Sequence, residues 1–133
     1  MSRSFFGKAF LILAFSALVA LASDADGKWS GELRLTVPRL QTRLFTMQLK
    51  ADAAGRVSGT IADENGNDKV EILDGQFDHG EISFGVPTGA DDMRRFEFRG
   101  KYAADTIAFT ISGIDPGTRT LITLGEATVK RAR

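Results

Sequence analysis

Apolar and polar side chains alternate along nearly the whole chain after residue 27. In the first such segment, Trp29, Leu33 and Leu35 fall in one phase. Glu32 and Arg34 fall in the opposite phase. Successive residues of a strand point to opposite faces of a sheet, so a period of two predicts strands with one buried face. The chain is therefore predicted to be all-β.

Eight segments show this alternation, and turn-forming residues separate them. Asn65-Gly66 and Asp115-Pro116-Gly117 are typical of tight turns. The predicted strands span 28–37, 43–51, 56–62, 69–78, 81–86, 93–102, 106–113 and 118–130. Val37 is expected to face inward with the apolar residues of the first strand.

Two of the predicted strands change phase part-way along. In the fourth, Val70 and Ile72 are out of phase with Phe77, and a β-bulge at Gly75 would restore the alternation. In the last, the phase changes near Gly125.

An internal repeat indicates how the strands are connected. Residues 75–86 and 100–111 share a glycine two residues before an aromatic, a short turn, and an Ile-x-Phe strand. Each copy is predicted to form one hairpin. Consecutive hairpins give an antiparallel meander, which buries its apolar face and removes its edges by closing on itself. We predict a single up-and-down barrel of about eight strands, with a two-sheet sandwich as the alternative.

The N-terminus has the three parts of a secretory signal. Arg3 and Lys8 are basic, residues 10–21 form an apolar run, and small residues occupy positions 20 and 22. We expect a signal-peptide helix over 1–22, cleaved after Ala22, and a barrel domain over 23–133. An uncleaved anchor helix is the alternative. The chain has no Cys, which excludes a lipid anchor on cysteine and disulfides.

The inward phase of the predicted barrel is rich in large apolar side chains. An eight-stranded barrel is just wide enough to be filled by side chains or to hold one small ligand. A core filled by side chains is favoured, and an apolar cavity inside the barrel is the alternative. A ligand in such a cavity would contact Trp29, Phe45, Phe84, Phe96, Phe98 and Phe109.

The sequence offers few residues for catalysis or metal binding. The single His, His79, lies in a predicted exposed turn, and no pair of carboxylates suggests a glycosidase. Asp63, Asn65 and Asn67 resemble the start of a calcium loop, but Asp68 replaces its glycine. A polar turn is favoured over a metal site. We expect no cofactor, and we expect that the protein is not an enzyme.

The sixth predicted strand interleaves basic and aromatic residues, a pattern that also occurs in single-stranded nucleic-acid binding. Here Phe96 and Phe98 lie in the inward phase, while Glu97 lies between Arg95 and Arg99 on the outer face. Ion pairing on a solvated strand face is favoured, and nucleic acid is not expected as a partner.

Several strand and turn segments carry a resemblance to a known kind of domain. They are residues 27–33, 55–61, 74–75, 82–84 and 127–131. Over nearly the whole mature chain, the sequence resembles a small exported bacterial β-barrel domain of uncharacterised function, which occurs alone or fused to secreted hydrolases. The resemblance implies a β-barrel in the envelope or outside the cell, and it carries no catalytic residues over to this chain.

The start Gly27-Lys28-Trp29 is also similar to that of lipocalin-like and avidin-like barrels at the level of the fold. In those families a Trp near the first strand closes one barrel end, so the resemblance implies that Trp29 does the same. Their ligand residues do not map onto this chain.

Three functional hypotheses follow. The first is a secreted or periplasmic, non-catalytic binding module that recognises a protein through the loops at 63–68 and 87–92. The second is a carrier of a small apolar ligand inside the barrel. The third is a hydrolase-associated domain or an unrecognised hydrolase. A membrane is expected as a partner only through an uncleaved signal segment.

Overall fold

A computed structural model describes residues 25–37, 39–88, 95–115 and 117–132. These residues form antiparallel strands joined by turns, as the alternation predicts. The strands are β1 (Gly27–Leu35), β2 (Gln41–Ala51), β3 (Arg56–Asp63), β4 (Val70–Glu71), β5 (Leu73–Asp78), β6 (Glu81–Pro87), β7 (Arg95–Ala103), β8 (Thr106–Ile114) and β9 (Leu121–Arg131).

The strands close into one barrel. When β4 and β5 are counted together, each strand pairs antiparallel with the next strand along the chain. The last strand, β9, pairs with β1 over Trp29–Leu35 and closes the sheet. β4 and β5 both pair with β3, so they are successive segments of one barrel position. The fold is therefore a closed eight-stranded up-and-down barrel with one additional strand, which confirms the predicted meander and excludes the sandwich.

The predicted fourth strand, 69–78, is interrupted where its phase changes. Ile72 separates β4 from β5, and the pairing with β6 shifts register between Leu73 and Gln76. Asp74 adopts a positive φ of 52° within this stretch. The expected bulge is confirmed, but the single predicted strand is divided into two.

The last strand also carries a bulge, at the point where the sequence changes phase. Ile111 pairs with Gly125, whereas Ser112 pairs with Thr123, so Leu124 is the extra residue. The bulge lets residues on both sides of Gly125 face the interior: Leu124 is half-buried and Ala127 is buried. The phase change in the sequence therefore reflects a real change of register.

Some predicted strand limits were wrong. β2 begins at Gln41, two residues before the predicted start at 43, and β9 begins at Leu121, three residues after the predicted start at 118. β1 ends at Leu35, and Val37 beyond it is 40% exposed instead of facing inward. β1 ends at Leu35 because Leu35–Gly125 is the last residue pair between β1 and β9.

The two repeated hairpins are confirmed. Asp78 pairs with Glu81 across the turn His79-Gly80, and Ala103 pairs with Thr106 across Ala104-Asp105. His79 and Gly80 both have positive φ, which matches the right-handed twist of the flanking strands.

One apolar core fills the inward face of the sheet. Its buried members include Trp29, Phe84, Ile82, Ile107, Ile111 and Val129, all under 2% exposed. Neighbouring strands approach so closely that Gly31 is required: a Cβ there would lie 1.9 Å from the carbonyl oxygen of Thr128. Only glycine lets the backbones pack at this distance.

The predicted signal peptide, 1–22, lies outside the described residues, as do residues 89–92 of the predicted recognition loop 87–92. Within the described part of the chain, no helix is long and apolar enough to cross a membrane.

Candidate binding surface

The two ends of the barrel have different connections. Turns at 52–55, 79–80 and 104–105 join strands at one end, which also holds the start of β1. We call it the tryptophan end. The connections 36–40, 64–69 and 115–120 lie at the other end, together with the start of the connection after β6. We call it the loop end. Both predicted recognition loops begin there, so the fold brings them to the same end.

The tryptophan end is sealed. Trp29 is fully buried, and its Nε1 donates a hydrogen bond to the carbonyl oxygen of Ala25 at 3.0 Å. Arg131 lies over the indole, and Tyr102 contacts the ring edge-on at a centroid distance of 6.1 Å. This arrangement agrees with the closing role that the fold-level resemblance implied for Trp29.

Three of the six residues proposed to line a ligand cavity contact one another directly. Phe84 stacks on Phe98 at a centroid distance of 5.2 Å. Phe109 packs edge-on against both rings, at 5.4 and 5.6 Å. These are ordinary packing distances for aromatic pairs, so the rings occupy the middle of the barrel themselves. The arrangement favours the filled core.

The other three candidates lie apart from this cluster. Trp29 belongs to the sealed end, and Phe45 is buried on β2. Phe96 is half-buried, two residues closer than Phe98 to the loop end of β7. The structure therefore distributes the six residues along the whole core instead of around one pocket.

Among the described residues, the large exposed apolar side chains lie in the half of the barrel that contains the loop end. Ile114 and Leu121 are a cross-strand pair, 60% and 59% exposed. In the described part of the chain, the large apolar side chains of this kind are Val37, Leu40, Leu44, Leu73, Ile114 and Leu121. Because the large apolar side chains that remain in contact with water gather around this one end, we take it as the candidate binding surface.

Charge is segregated around the loop end. Residues 33–44 carry three arginines and no acidic residue, whereas residues 63–71 carry four carboxylates and one lysine. Arg34, Arg39, Arg43 and Arg119 are exposed, and none of them takes part in an ion pair within the described ranges. We call residues 33–44 and 114–121 the basic-apolar side, since β1 and β9 are neighbours there.

Arginines of β7 are used differently. Arg95 donates from Nη1 to Asp74 Oδ2 at 2.9 Å and from Nε to Glu97 Oε1. These bonds, first that to Asp74, raise the pKa of Arg95 above its usual value. Arg99 pairs with Glu81 at 3.5 Å. The expected ion pairing on this strand face is confirmed, although Arg99 pairs across strands and not with Glu97.

The calcium-like segment forms a hairpin turn organised by Asp63. Its Oδ1 accepts hydrogen bonds from the backbone N–H groups of Asn65 and Asn67, at 2.9 and 2.8 Å. Asp52 accepts the same two bonds in its own turn, from Ala54 and Arg56. That second turn has alanines where the first has Glu64 and Asn65, so this geometry does not depend on the oxygen ligands of a metal loop.

Other chemistry-bearing residues do not converge in the described part of the chain. The side chain of His79 is 92% exposed, and its Nδ1 lies 2.6 Å from Oδ1 of the neighbouring Asp78. A shallow groove outside β2, β3 and β5 is lined by Asp52 and Asp74, but the first organises its turn and the second binds Arg95. Across the described ranges, no group of three or more His, Cys, Asp or Glu residues is placed to hold a metal ion.

Sequence reasoning did not single out the exposed apolar residues. A signal was present, because Leu44 is out of phase with Phe45 and Met47, and Ile114 is out of phase with Ile111. An apolar residue on the polar face of an amphipathic strand is the pattern that indicates an outward-facing contact.

Comparison with known proteins yields no family model, no curated protein and no solved structure that matches this chain. The resemblance drawn from the sequence is therefore supported only at the level of architecture, a closed antiparallel eight-stranded barrel. The arguments for function rest on the geometry of the barrel ends.

Proposed function

We propose that this barrel is a non-catalytic binding module of the cell envelope or extracellular space, and that its loop end is the binding surface. The observation that carries the proposal is the asymmetry of the two ends. One end is sealed by Trp29, while the large exposed apolar side chains of the described residues occupy the half of the barrel around the other end. Exposed leucine and isoleucine side chains favour association, because contact with a partner removes them from water.

The non-catalytic character is supported by how the carboxylates are used. Asp52, Asp63 and Asp74 each accept hydrogen bonds that hold a turn or join strands. A general acid or base needs a free proton site aimed at a substrate. Location outside the cytoplasm is supported by the signal-like residues 1–22.

A carrier of a small apolar ligand is a second candidate. Inward-facing apolar residues near the loop end are only half-buried, among them Leu33, Ile61, Val70 and Phe96. A ligand seated at this mouth would cover them without entering the packed phenylalanines. Native mass spectrometry of protein purified from its own host tests this: a retained ligand supports the carrier, and the bare polypeptide mass counts against it.

The binding surface is tested with paired variants of the full-length chain. The double variant Ile114→Ser, Leu121→Ser alters one exposed cross-strand pair at the loop end. The matched control, Ala108→Ser, Thr128→Ser, alters an exposed pair on the same two strands nearer the tryptophan end. Binding to the envelope fraction of the native host is measured for both, and the mass of each purified product establishes whether residues 1–22 remain.

We expect the loop-end variant to bind at least about tenfold more weakly, because two apolar side chains worth roughly 1 kcal/mol each are removed. The control variant should bind like the parent protein. Equal binding by all three proteins, or a loss confined to the control, would refute the proposed surface.

A further inference from the structure

We propose that the basic-apolar side of the loop end docks onto an anionic lipid surface. This inference rests on the proposed function and names the partner of that surface. It differs from the sequence-based expectation of a protein or small-ligand partner, because the fold brings together residues that are far apart in the chain.

The apolar contribution comes from two adjacent connections. β1 pairs with β9, and Thr36 donates its backbone N–H to the carbonyl oxygen of Leu124. The connection after β1 therefore lies beside the start of β9. Val37 and Leu40 on one connection, and Ile114 and Leu121 flanking the other, are exposed on the same side of the barrel.

The arginines of the same segments supply the charge. Arg34, Arg39, Arg43 and Arg119 have no carboxylate partner among the described residues, in contrast to Arg95, Arg99 and Arg131. Glu32, which pairs with Leu44, Glu126, which pairs with Arg34, and Asp115 are the acidic residues nearby in sequence and register. Four arginines against three carboxylates leave the side with a net positive charge. Apolar side chains flanked by unpaired arginines match the boundary between anionic headgroups and acyl chains.

The distribution of charge favours a lipid surface over a second copy of the chain. In a symmetric dimer that matched charges, the arginines of residues 33–44 would face the carboxylates of residues 63–71. The same arrangement would place Leu40 and Ile114 against those carboxylates. A lipid surface avoids this conflict, because the barrel can tilt so that residues 63–71 stay in water.

The shape of the surface points the same way. The exposed apolar residues lie on connections and on the outer wall, where they project outward. Stable protein interfaces need a well-matched surface on both partners, whereas a fluid lipid boundary accommodates separate projecting side chains.

The test uses vesicles of phosphatidylcholine alone and of phosphatidylcholine mixed equally with phosphatidylglycerol. Co-sedimentation of the full-length chain, with its mass verified, is compared for Arg39→Gln, Arg43→Gln and the control Arg56→Gln. Arg56 is exposed and also forms no ion pair with any residue that the structure describes, but it begins β3 at the tryptophan end. Leu40→Ser tests the apolar contribution.

We expect binding to the anionic vesicles that weakens as salt rises, with about a fivefold loss for each of Arg39→Gln and Arg43→Gln. Leu40→Ser should also weaken binding, and Arg56→Gln should not. Absence of binding, equal binding to neutral vesicles, or equal losses for all three arginine variants would overturn the inference. So would a dimer, seen by analytical ultracentrifugation, that the same substitutions dissociate.

Failure of this inference is distinguishable from failure of the proposed function. If the vesicles are not bound but Ile114→Ser, Leu121→Ser still weakens binding to the envelope fraction, the lipid assignment falls and the binding surface remains. If substitutions at the loop end weaken neither vesicle binding nor binding to the envelope fraction, both the lipid assignment and the proposed binding surface are refuted.

Discussion

The guanidinium carbon of Arg131 lies 4.4 Å from the centroid of the Trp29 ring. Arg131 comes from the last strand and Trp29 from the first, so this contact joins the two ends of the barrel domain where the sheet closes. Arg131 Nη1 also donates to the carbonyl oxygen of Asp26 at 2.7 Å, and its Nη2 donates to Tyr102 Oη at 3.2 Å. The stacked and hydrogen-bonded guanidinium thus covers the sealed end.

Replacing this guanidinium should loosen the closure. Arg131→Met keeps an apolar stem but removes the charge and its donors, and we expect it to lower the free energy of unfolding by about 2 kcal/mol. Trp29 is the one tryptophan of the chain, so its fluorescence reports the change directly. Arg56→Met, at an exposed arginine, is the control. If Arg131→Met left both the Trp29 emission spectrum and the unfolding midpoint unchanged, the role of Arg131 in sealing this end would be contradicted.

The close approach of β1 and β9 at Gly31 predicts a large effect of one methyl group. In Gly31→Ala the new Cβ would meet backbone atoms of Thr128 and Val129, which cannot rotate away. We expect a loss of about 1–3 kcal/mol or more in chemical denaturation. Gly117→Ala is the matched control, since its Cβ would meet only the side chain of Asp115 at 3.5 Å. Equal stability of the two variants would show that the strands are not this close.

The packed phenylalanines predict how the core responds to truncation. Phe98→Ala should cost about 3–5 kcal/mol, because Phe84 and Phe109 would then border a void. Ile114→Ala at the exposed loop end should change stability by no more than about 0.5 kcal/mol. Urea denaturation followed by circular dichroism measures both. A small cost for Phe98→Ala would indicate a hollow interior and would favour the carrier hypothesis.

The shared geometry of the Asp52 and Asp63 turns predicts matching effects. Asp52→Ala and Asp63→Ala each remove an acceptor of two backbone N–H groups, so each should lower stability by about 1–2 kcal/mol. Glu64→Ala, at an exposed position within the Asp63 turn, should have little effect. Added calcium should not raise the melting temperature of the parent protein. A calcium-dependent rise in melting temperature that Asp63→Ala abolishes would instead support the hypothesis of a metal site.

The sequence predicted the architecture because the deciding information is local. Alternation predicted the strands, and the repeat predicted the hairpins with turns at 79–80 and 104–105. The phase change near Gly75 predicted a bulge, and the phase change near Gly125 marks the position of a second one. All of these depend on interactions within a strand or between strands adjacent in the chain. Strand limits were less well predicted. Val37 continues the apolar phase of β1, but its exposure depends on where pairing with β9 ends.

The candidate surface could be predicted only in part. Sequence reasoning placed recognition on loops at one barrel end, and two of its loop segments do begin at the loop end. It did not predict that Leu40 and Ile114 would lie on the same side, because that depends on β1 pairing with β9 at closure. It also did not predict which arginines remain unpaired. Ion pairing between distant residues, such as Arg95 with Asp74, is set by the three-dimensional register.

Hydrogen–deuterium exchange of the full-length chain, with and without the native envelope fraction, is the most direct test of the central claim that binding occurs at the loop end. We predict slower exchange in peptides covering 36–44 and 114–121 when the envelope fraction is present. Exchange at the turns 79–80 and 104–105 should be unchanged. Protection confined to those turns, or no protection anywhere, would contradict the account.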